Sequence, residues 1–354
     1  MLTVNHAILH AFDFDTGSAY LSDRELDLDE KLVLSFVRRH LNRCVASEQN
    51  MHGEFADNSG FAEELRLYLT NLNSFVDFSK QLAEFFWETL RTCDDLVQAD
   101  LLVADFEERA KAPDADATDE ELERAYNGQT TRRFAVLLLP RSQTFMHSIE
   151  HPSGGSCNEI VRHDATLPNP SSKVDTYVLV NCETLAIDFR DKPRTIAEAE
   201  VWVMQNLLLK CSKEPSSHEV IKSVEHIVEE IAEEGGCNAA EVISRAKACV
   251  AHSAEVDERV MPEQIGEQVF KDEPQLQERC KSVMREAELP EEVFVRRAAA
   301  RRLTKSHRIR TDTGIDITFP SEYSTSPDYL AFRREEDGTM SILIRNVGSI
   351  ENRS

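Results

Sequence analysis

Seven basic residues are packed into VFVRRAAARRLTKSHRIR, residues 293–310: Arg296, Arg297, Arg301, Arg302, Lys305, Arg308 and Arg310. No acidic residue interrupts them, in a chain whose formal charge is -24. Without these seven the remainder stands at -31. Such a local cationic patch suits a polyanion, and phosphate is the first partner it suggests. Pro290, Glu291 and Glu292 fit the first turn of a helix, and the arginines that follow suit its negative end. On a helix over 290–303, Arg297, Arg301 and Lys305 recur every four residues and line up as one outward stripe, with Val295, Ala298, Ala299 and Leu303 facing inward. Arg308 and Arg310 then belong to a predicted hairpin, RIRT and IDITF, which turns at Asp312, Thr313 and Gly314 and buries Ile309, Ile315, Ile317 and Phe319.

Other residues invite catalytic readings. Asp13 and Asp15 have the DxDxT spacing of an aspartyl-phosphate hydrolase, whose first aspartate is the nucleophile and whose second is the general acid. That chemistry needs a parallel, doubly wound sheet and a magnesium site, and the order strand, turn, strand, helices does not offer one. Asp15-Thr16-Gly17 and Asp312-Thr313-Gly314 repeat a tripeptide that a pair of proton-sharing aspartates would require. Both sit where hairpin turns are expected, and Asp and Gly are ordinary turn residues. Cys157 in HPSGGSCN, with His147, His151 or His163 as base, is the best thiol nucleophile; loop composition accounts for it equally well. No phosphate-binding GKS/T loop, HExxH or GxGxxG is present. The reading is of a chain without catalytic residues, cofactor or metal site.

The elements that position these residues read as α+β. An N-terminal domain, 1–192, mixes antiparallel strands with helices: a strand pair up to about residue 22, helices over 29–46, 61–69 and 74–90, then strands over 99–106, 133–139, 144–149, 174–180 and 184–189. Within it, 107–131 reads as an exposed acidic insertion. A helical middle domain, 193–289, follows, with helices over 196–210, 216–234, 238–251, 263–270 and 275–286. Ser216 with Glu219 and Asn238 with Glu241 have the spacing of N-terminal caps. The last domain, 290–354, is the basic helix and a small antiparallel sheet.

The 354 residues suit two or three domains, and no apolar run reaches the length of a membrane span. The N-terminus lacks the features of a signal peptide, so an intracellular chain is expected. Eight scattered cysteines without a CxxC pair argue for reduced core thiols.

Several phrases resemble the bacterial 37-kDa nucleoid-associated protein family. AILHAFDFDTGSAYLSD is similar to that family's opening strand pair, ADLLVADF with RRFAVLLLPRSQTFMHSI to its central strands, and VDTYVLVNCETLAIDFRDK to the next pair. The most specific likeness is HRIRTDTGIDITFPSEYS followed by DGTMSILIRNVGSI. The resemblance implies a cytoplasmic protein of the bacterial nucleoid that binds double-stranded DNA and has no known enzymatic activity. It assigns no DNA-contacting residue. The seven basic residues are therefore the expected phosphate contacts, and a homodimer would place two such patches on one duplex. The alternative is a protein-interaction component of a bacterial defence or chromosome-maintenance assembly, which makes no direct DNA contact.

Overall fold

The computed structural model describes residues 2–95, 98–109, 130–150, 157–295, 297, 300, 306–320, 323, 328–335 and 339–349. The fold is α+β, in two compact units, Met1–Glu214 and Pro215–Ser354.

The first unit is organised by β4 (Ala99–Arg109), an apolar run interrupted by two aspartates. In chain order the unit contains β1 (Leu2–Asp13), β2 (Ser18–Tyr20), α1 (Lys31–Val45), β3 (Met51–Gly53), α2 (Gly60–Leu69), α3 (Phe75–Leu90), β4, and β5 (Thr130–Pro140). It continues with β6 (Ser142–Glu150), β7 (Cys157–Thr166), β8 (Tyr177–Asn181), β9 (Ile187–Arg190), β10 (Pro193–Ile196), β11 (Ala199–Trp202) and a π-helix, Val203–Leu209. Seven strands form one antiparallel sheet in the order β2-β1-β4-β5-β8-β9-β3. Its central strands are covered on both faces, which is why they read as continuous apolar runs and do not alternate. Leu101, Val103, Phe134 and Val136 join the core built with α2, α3 and the π-helix. Leu102, Ala104, Ala135 and Leu137 join the one built with α1. Phe134 stacks on Phe78 at 5.1 Å, part of the aromatic stripe of α3. Each such buried ring contributes roughly 2–3 kcal/mol.

Gly53 shows why β3 needs glycine. A Cβ there would stand 2.3 Å from the Ser212 carbonyl oxygen, where His52 and Glu214 exchange backbone hydrogen bonds of 3.2 and 2.8 Å.

Three expectations are corrected in this unit. The helix predicted over 196–210 is instead the β10–β11 hairpin followed by the π-helix. Ala197 and Glu198 take left-handed conformations at its turn, and the buried carboxylate of Asp191 accepts the Met204 and Gln205 N–H groups at 2.7 and 3.1 Å, capping the π-helix. The edges of the acidic insertion belong to strands: Glu107, Glu108 and Arg109 pair with Arg132, Thr131 and Thr130, while 110–129 lie outside the described residues. The third is an omission, since residues 157–166 form β7, which pairs with β6 in a separate two-stranded ribbon. On that ribbon Phe145 and Ile160 are 72% and 81% exposed.

The second unit begins with α4 (Ser217–Glu234). Its capping box is the one its sequence predicts: the Ser216 hydroxyl accepts the Glu219 N–H at 3.2 Å and the Glu219 carboxylate accepts the Ser216 N–H at 2.8 Å. Next come α5 (Ala239–Asp257), capped by Asn238, β12 (Arg259–Val260), α6 (Pro262–Val269), α7 (Pro274–Glu286) and β13 (Val293–Phe294). The C-terminal part comprises β14 (Ser306–Arg310), β15 (Asp316–Pro320), β16 (Leu330–Arg334) and β17 (Met340–Ile344). Val224, Val228, Val250, Ile265, Met284, Val295 and Ala300 share one core. The helix expected from Pro290 is corrected at β13. Val293 and Phe294 pair with Val260 and Arg259, and Val295 N–H donates to the Glu258 carbonyl at 2.7 Å. A β-branched and aromatic triplet has found a strand partner, which outweighs the N-terminal helix signals before it.

Candidate nucleic-acid interface

The basic segment is anchored at its start by Glu258. That residue ends α5 in a left-handed conformation, φ 57°. Its carboxylate Oε1 accepts the Arg297 N–H at 2.9 Å. Arg297 and Ala300 are helical, and Ala300 is buried. Arg297 itself is half-buried, not fully turned to solvent. Arg296, Arg301, Arg302 and Lys305 lie outside the described residues, as do Ala298, Ala299 and Leu303.

The hairpin that follows is where the alternation puts it. Ile309 pairs with Ile317, so these two point to one side with Phe319, and Arg308 and Arg310 point to the other with Thr318 and Asp316. The turn closes through Thr311 and Ile315, whose N–H and carbonyl meet at 2.9 Å, and Gly314 adopts φ 87°. Phe319 is buried, Ile309 and Ile317 are half-buried, and Ile315 is exposed, since the expected apolar face ends before the turn. Arg308 and Arg310 are both exposed. Arg308 Nη2 is 3.1 Å from Asp316 Oδ2, with side chains 70% and 39% exposed. A surface pair of this kind contributes roughly 0–1 kcal/mol, so its guanidinium can exchange a carboxylate for a phosphate at small cost. Over residues 293–354 eleven Lys and Arg stand against eight Asp and Glu, the reverse of the balance in the whole chain.

The catalytic candidates do not assemble. Asp13 Oδ1 accepts the N–H groups of Asp15 and Thr16, each at 3.1 Å. The Thr16 N–H is the main reason its carboxyl lies below the usual range. Asp312 likewise accepts the Thr313 N–H at 2.9 Å. Both tripeptides are thus turn elements. Cys157 stands opposite Glu150 in the ribbon, His147 opposite Ile160 and His163 opposite Thr144. His147 Nε2 contacts the Asn158 Oδ1 at 3.2 Å, and His151 lies outside the described residues. Among the described residues no group of three or more His, Cys, Asp or Glu could hold a metal ion. Burial raises Cys44 to about 12 and Cys280 to about 11, which keeps both as thiols. A cleft of about 840 Å³ between α5, α6 and β16 is lined by Arg245, His252 and Lys271 beside Glu241, Glu267 and Asp272, a lining of mixed charge.

Sequence reasoning missed the buried charges of the first unit. Asp105 is wholly buried; it accepts the Tyr68 hydroxyl at 2.7 Å, Arg132 Nη2 at 2.7 Å and Asn5 Nδ2 at 3.3 Å. Burial and the Asp105 charge raise the Tyr68 hydroxyl well above its ordinary range. Asp100 is held the same way by Arg141 at 2.6 Å. Both carboxylates are answered within the unit, which makes them ties between strands and, through Tyr68, to α2. Asp191 is pushed up to about 6 by burial, against its backbone donors. The only sequence signal for these ties is an aspartate inside an apolar strand, whose partner must be basic or hydroxylic.

Among the described residues no helix is long and apolar enough to cross a membrane. Comparison with curated proteins finds no match. Residues 8–352 match the family described as nucleoid-associated protein YejK. The match covers nearly the whole chain, including both units and the basic segment, and the chain belongs to that nucleoid-associated protein family.

Proposed function

We propose that this chain is a cytoplasmic, DNA-binding member of its family, without enzymatic activity, that contacts duplex phosphates largely independently of base sequence. The observation that carries the reading is the charge of the C-terminal region, net basic in a chain of -24. Arg296, Arg297, Arg301, Arg302, Lys305, Arg308 and Arg310 supply the contacts, with Arg308 and Arg310 on one exposed hairpin face. Phosphate contacts of this kind fix position on a duplex and carry no sequence information. The acidic remainder of the surface repels DNA and confines it to this region. A homodimer would engage two patches at once and raise the affinity of each; the exposed apolar side chains of the β6–β7 ribbon support self-association.

The test is fluorescence anisotropy with two duplexes of unrelated sequence across a salt series. Similar affinities that fall steeply with salt support the reading. A folded protein that binds neither duplex at low salt overturns it. A second reading, recruitment through a protein partner, is favoured by the Arg308–Asp316 pair and by the Glu258 carboxylate at Arg297, since both lower the positive potential offered to DNA.

A further inference from the structure

Two tyrosines in the second unit stack on each other at the surface. Tyr323 and Tyr329 have ring centroids 4.9 Å apart and an interplanar angle of 17°. They are 41% and 46% exposed, so the stack is not part of the core. Arg345 stands across the strand pair from Tyr329, its N–H donating to the Tyr329 carbonyl at 2.9 Å. The β16–β17 register places Arg333 opposite Ser341 and Ala331 opposite Leu343 on one face, and Tyr329 and Arg345 stand immediately before β16 and after β17. Arg333 and Arg345 are exposed. An aromatic pair open to solvent, with one exposed arginine bonded through its backbone to Tyr329 and another in the strand that Tyr329 leads into, has the two parts of a single-strand site: a surface for base stacking and cations for the backbone.

We infer that Tyr323 and Tyr329, with Arg333 and Arg345, form a platform for unpaired nucleobases, so that the C-terminal region holds single-stranded DNA as well as duplex. The inference rests on the phosphate-binding reading above and adds the form of the nucleic acid. Bases of an intact duplex are stacked within the helix and present only their edges. A strand with free bases can lay one on the outer tyrosine ring, while its phosphates meet Arg333 and Arg345. Stacking of this type tolerates any base, in keeping with a protein that does not select sequence.

The experiment measures anisotropy of the full chain with one mixed-sequence DNA strand, its duplex, and an RNA strand of the same sequence. The variants are Tyr323→Ala with Tyr329→Ala, and Tyr323→Phe with Tyr329→Phe, each checked for native circular dichroism. The expected result is a loss of about tenfold in single-strand affinity for the alanine pair, with duplex affinity within about twofold of the unmodified protein. The phenylalanine pair should bind both forms as the unmodified protein does, because the ring is retained. Equal losses for strand and duplex would overturn the platform, as would single-strand binding unaffected by the alanine pair. Binding of duplex without single strand overturns the platform alone; binding of neither overturns the phosphate reading as well. An RNA strand bound more than about tenfold tighter than its DNA equivalent would overturn the assignment to DNA.

Discussion

Arg308 and Asp316 lie on the same face of the β14–β15 hairpin, guanidinium to carboxylate at 3.1 Å, and Arg310 is the backbone partner of that same aspartate. One carboxylate therefore stands between two cations proposed to meet phosphate. Replacing Asp316 with Asn removes the competitor and leaves the hairpin register unchanged. The expected outcome is about two- to fivefold tighter duplex binding at low salt, an advantage that shrinks as salt rises. Anisotropy of the two proteins side by side checks it, and weaker binding by the variant would argue that Asp316 positions Arg308 productively.

The Asp105 network predicts where the first unit is most vulnerable. Arg132→Ala leaves a fully buried carboxylate with only Tyr68 and Asn5 as donors. The expected loss is about 3 kcal/mol or more, because an unpaired buried charge costs more than the pair returns. Both tryptophans, Trp87 and Trp202, belong to this unit, so their fluorescence in urea follows its unfolding separately. A loss below about 1 kcal/mol would contradict the assignment of Arg132 as the counter-charge.

His10 gives the same unit a pH dependence. Its Nδ1 accepts the Ser22 N–H at 3.1 Å, so the proton sits on Nε2, 3.1 Å from the Ser79 hydroxyl. Burial, and then the charge of Lys80, lower its pKa from 6.5 to about 4. The unfolded chain takes up the proton first. Stability from this group is complete above about pH 6.5 and is lost as pH falls toward 4, by on the order of 3 kcal/mol. Urea unfolding at pH 7.5 and 4.5 should show a larger acid loss in the unmodified protein than in His10→Gln. Equal losses would remove His10 as the cause.

Where local pattern and tertiary partner agreed, the fold was legible. Ser216 and Glu219 announced the start of α4, and the alternation of Ile309, Ile317 and Phe319 around Gly314 announced the hairpin. Residues 196–210 misled because Trp202, Val203, Met204 and Leu207 to Leu209 are apolar at spacings a helix would also use. The hairpin there is decided by the left-handed pair Ala197 and Glu198 and by a cap from Asp191, a residue outside the apolar pattern. Val293 to Val295 misled because their strand partner, Arg259 and Val260, is distant in sequence. At the candidate site the positions of Arg308 and Arg310 followed from the period of two. The tie of the Arg297 N–H to Glu258 did not, because that partner stands at the end of another helix.

The most direct test of the phosphate-binding account is the salt slope of duplex affinity with Arg301, Lys305, Arg308 and Arg310 changed together to Glu. For the unmodified protein log affinity should fall linearly with log salt, and the variant's slope should be shallower by roughly 0.9 for each phosphate it no longer neutralises. An unchanged slope in a variant with native circular dichroism would place the DNA-binding surface elsewhere and contradict the account.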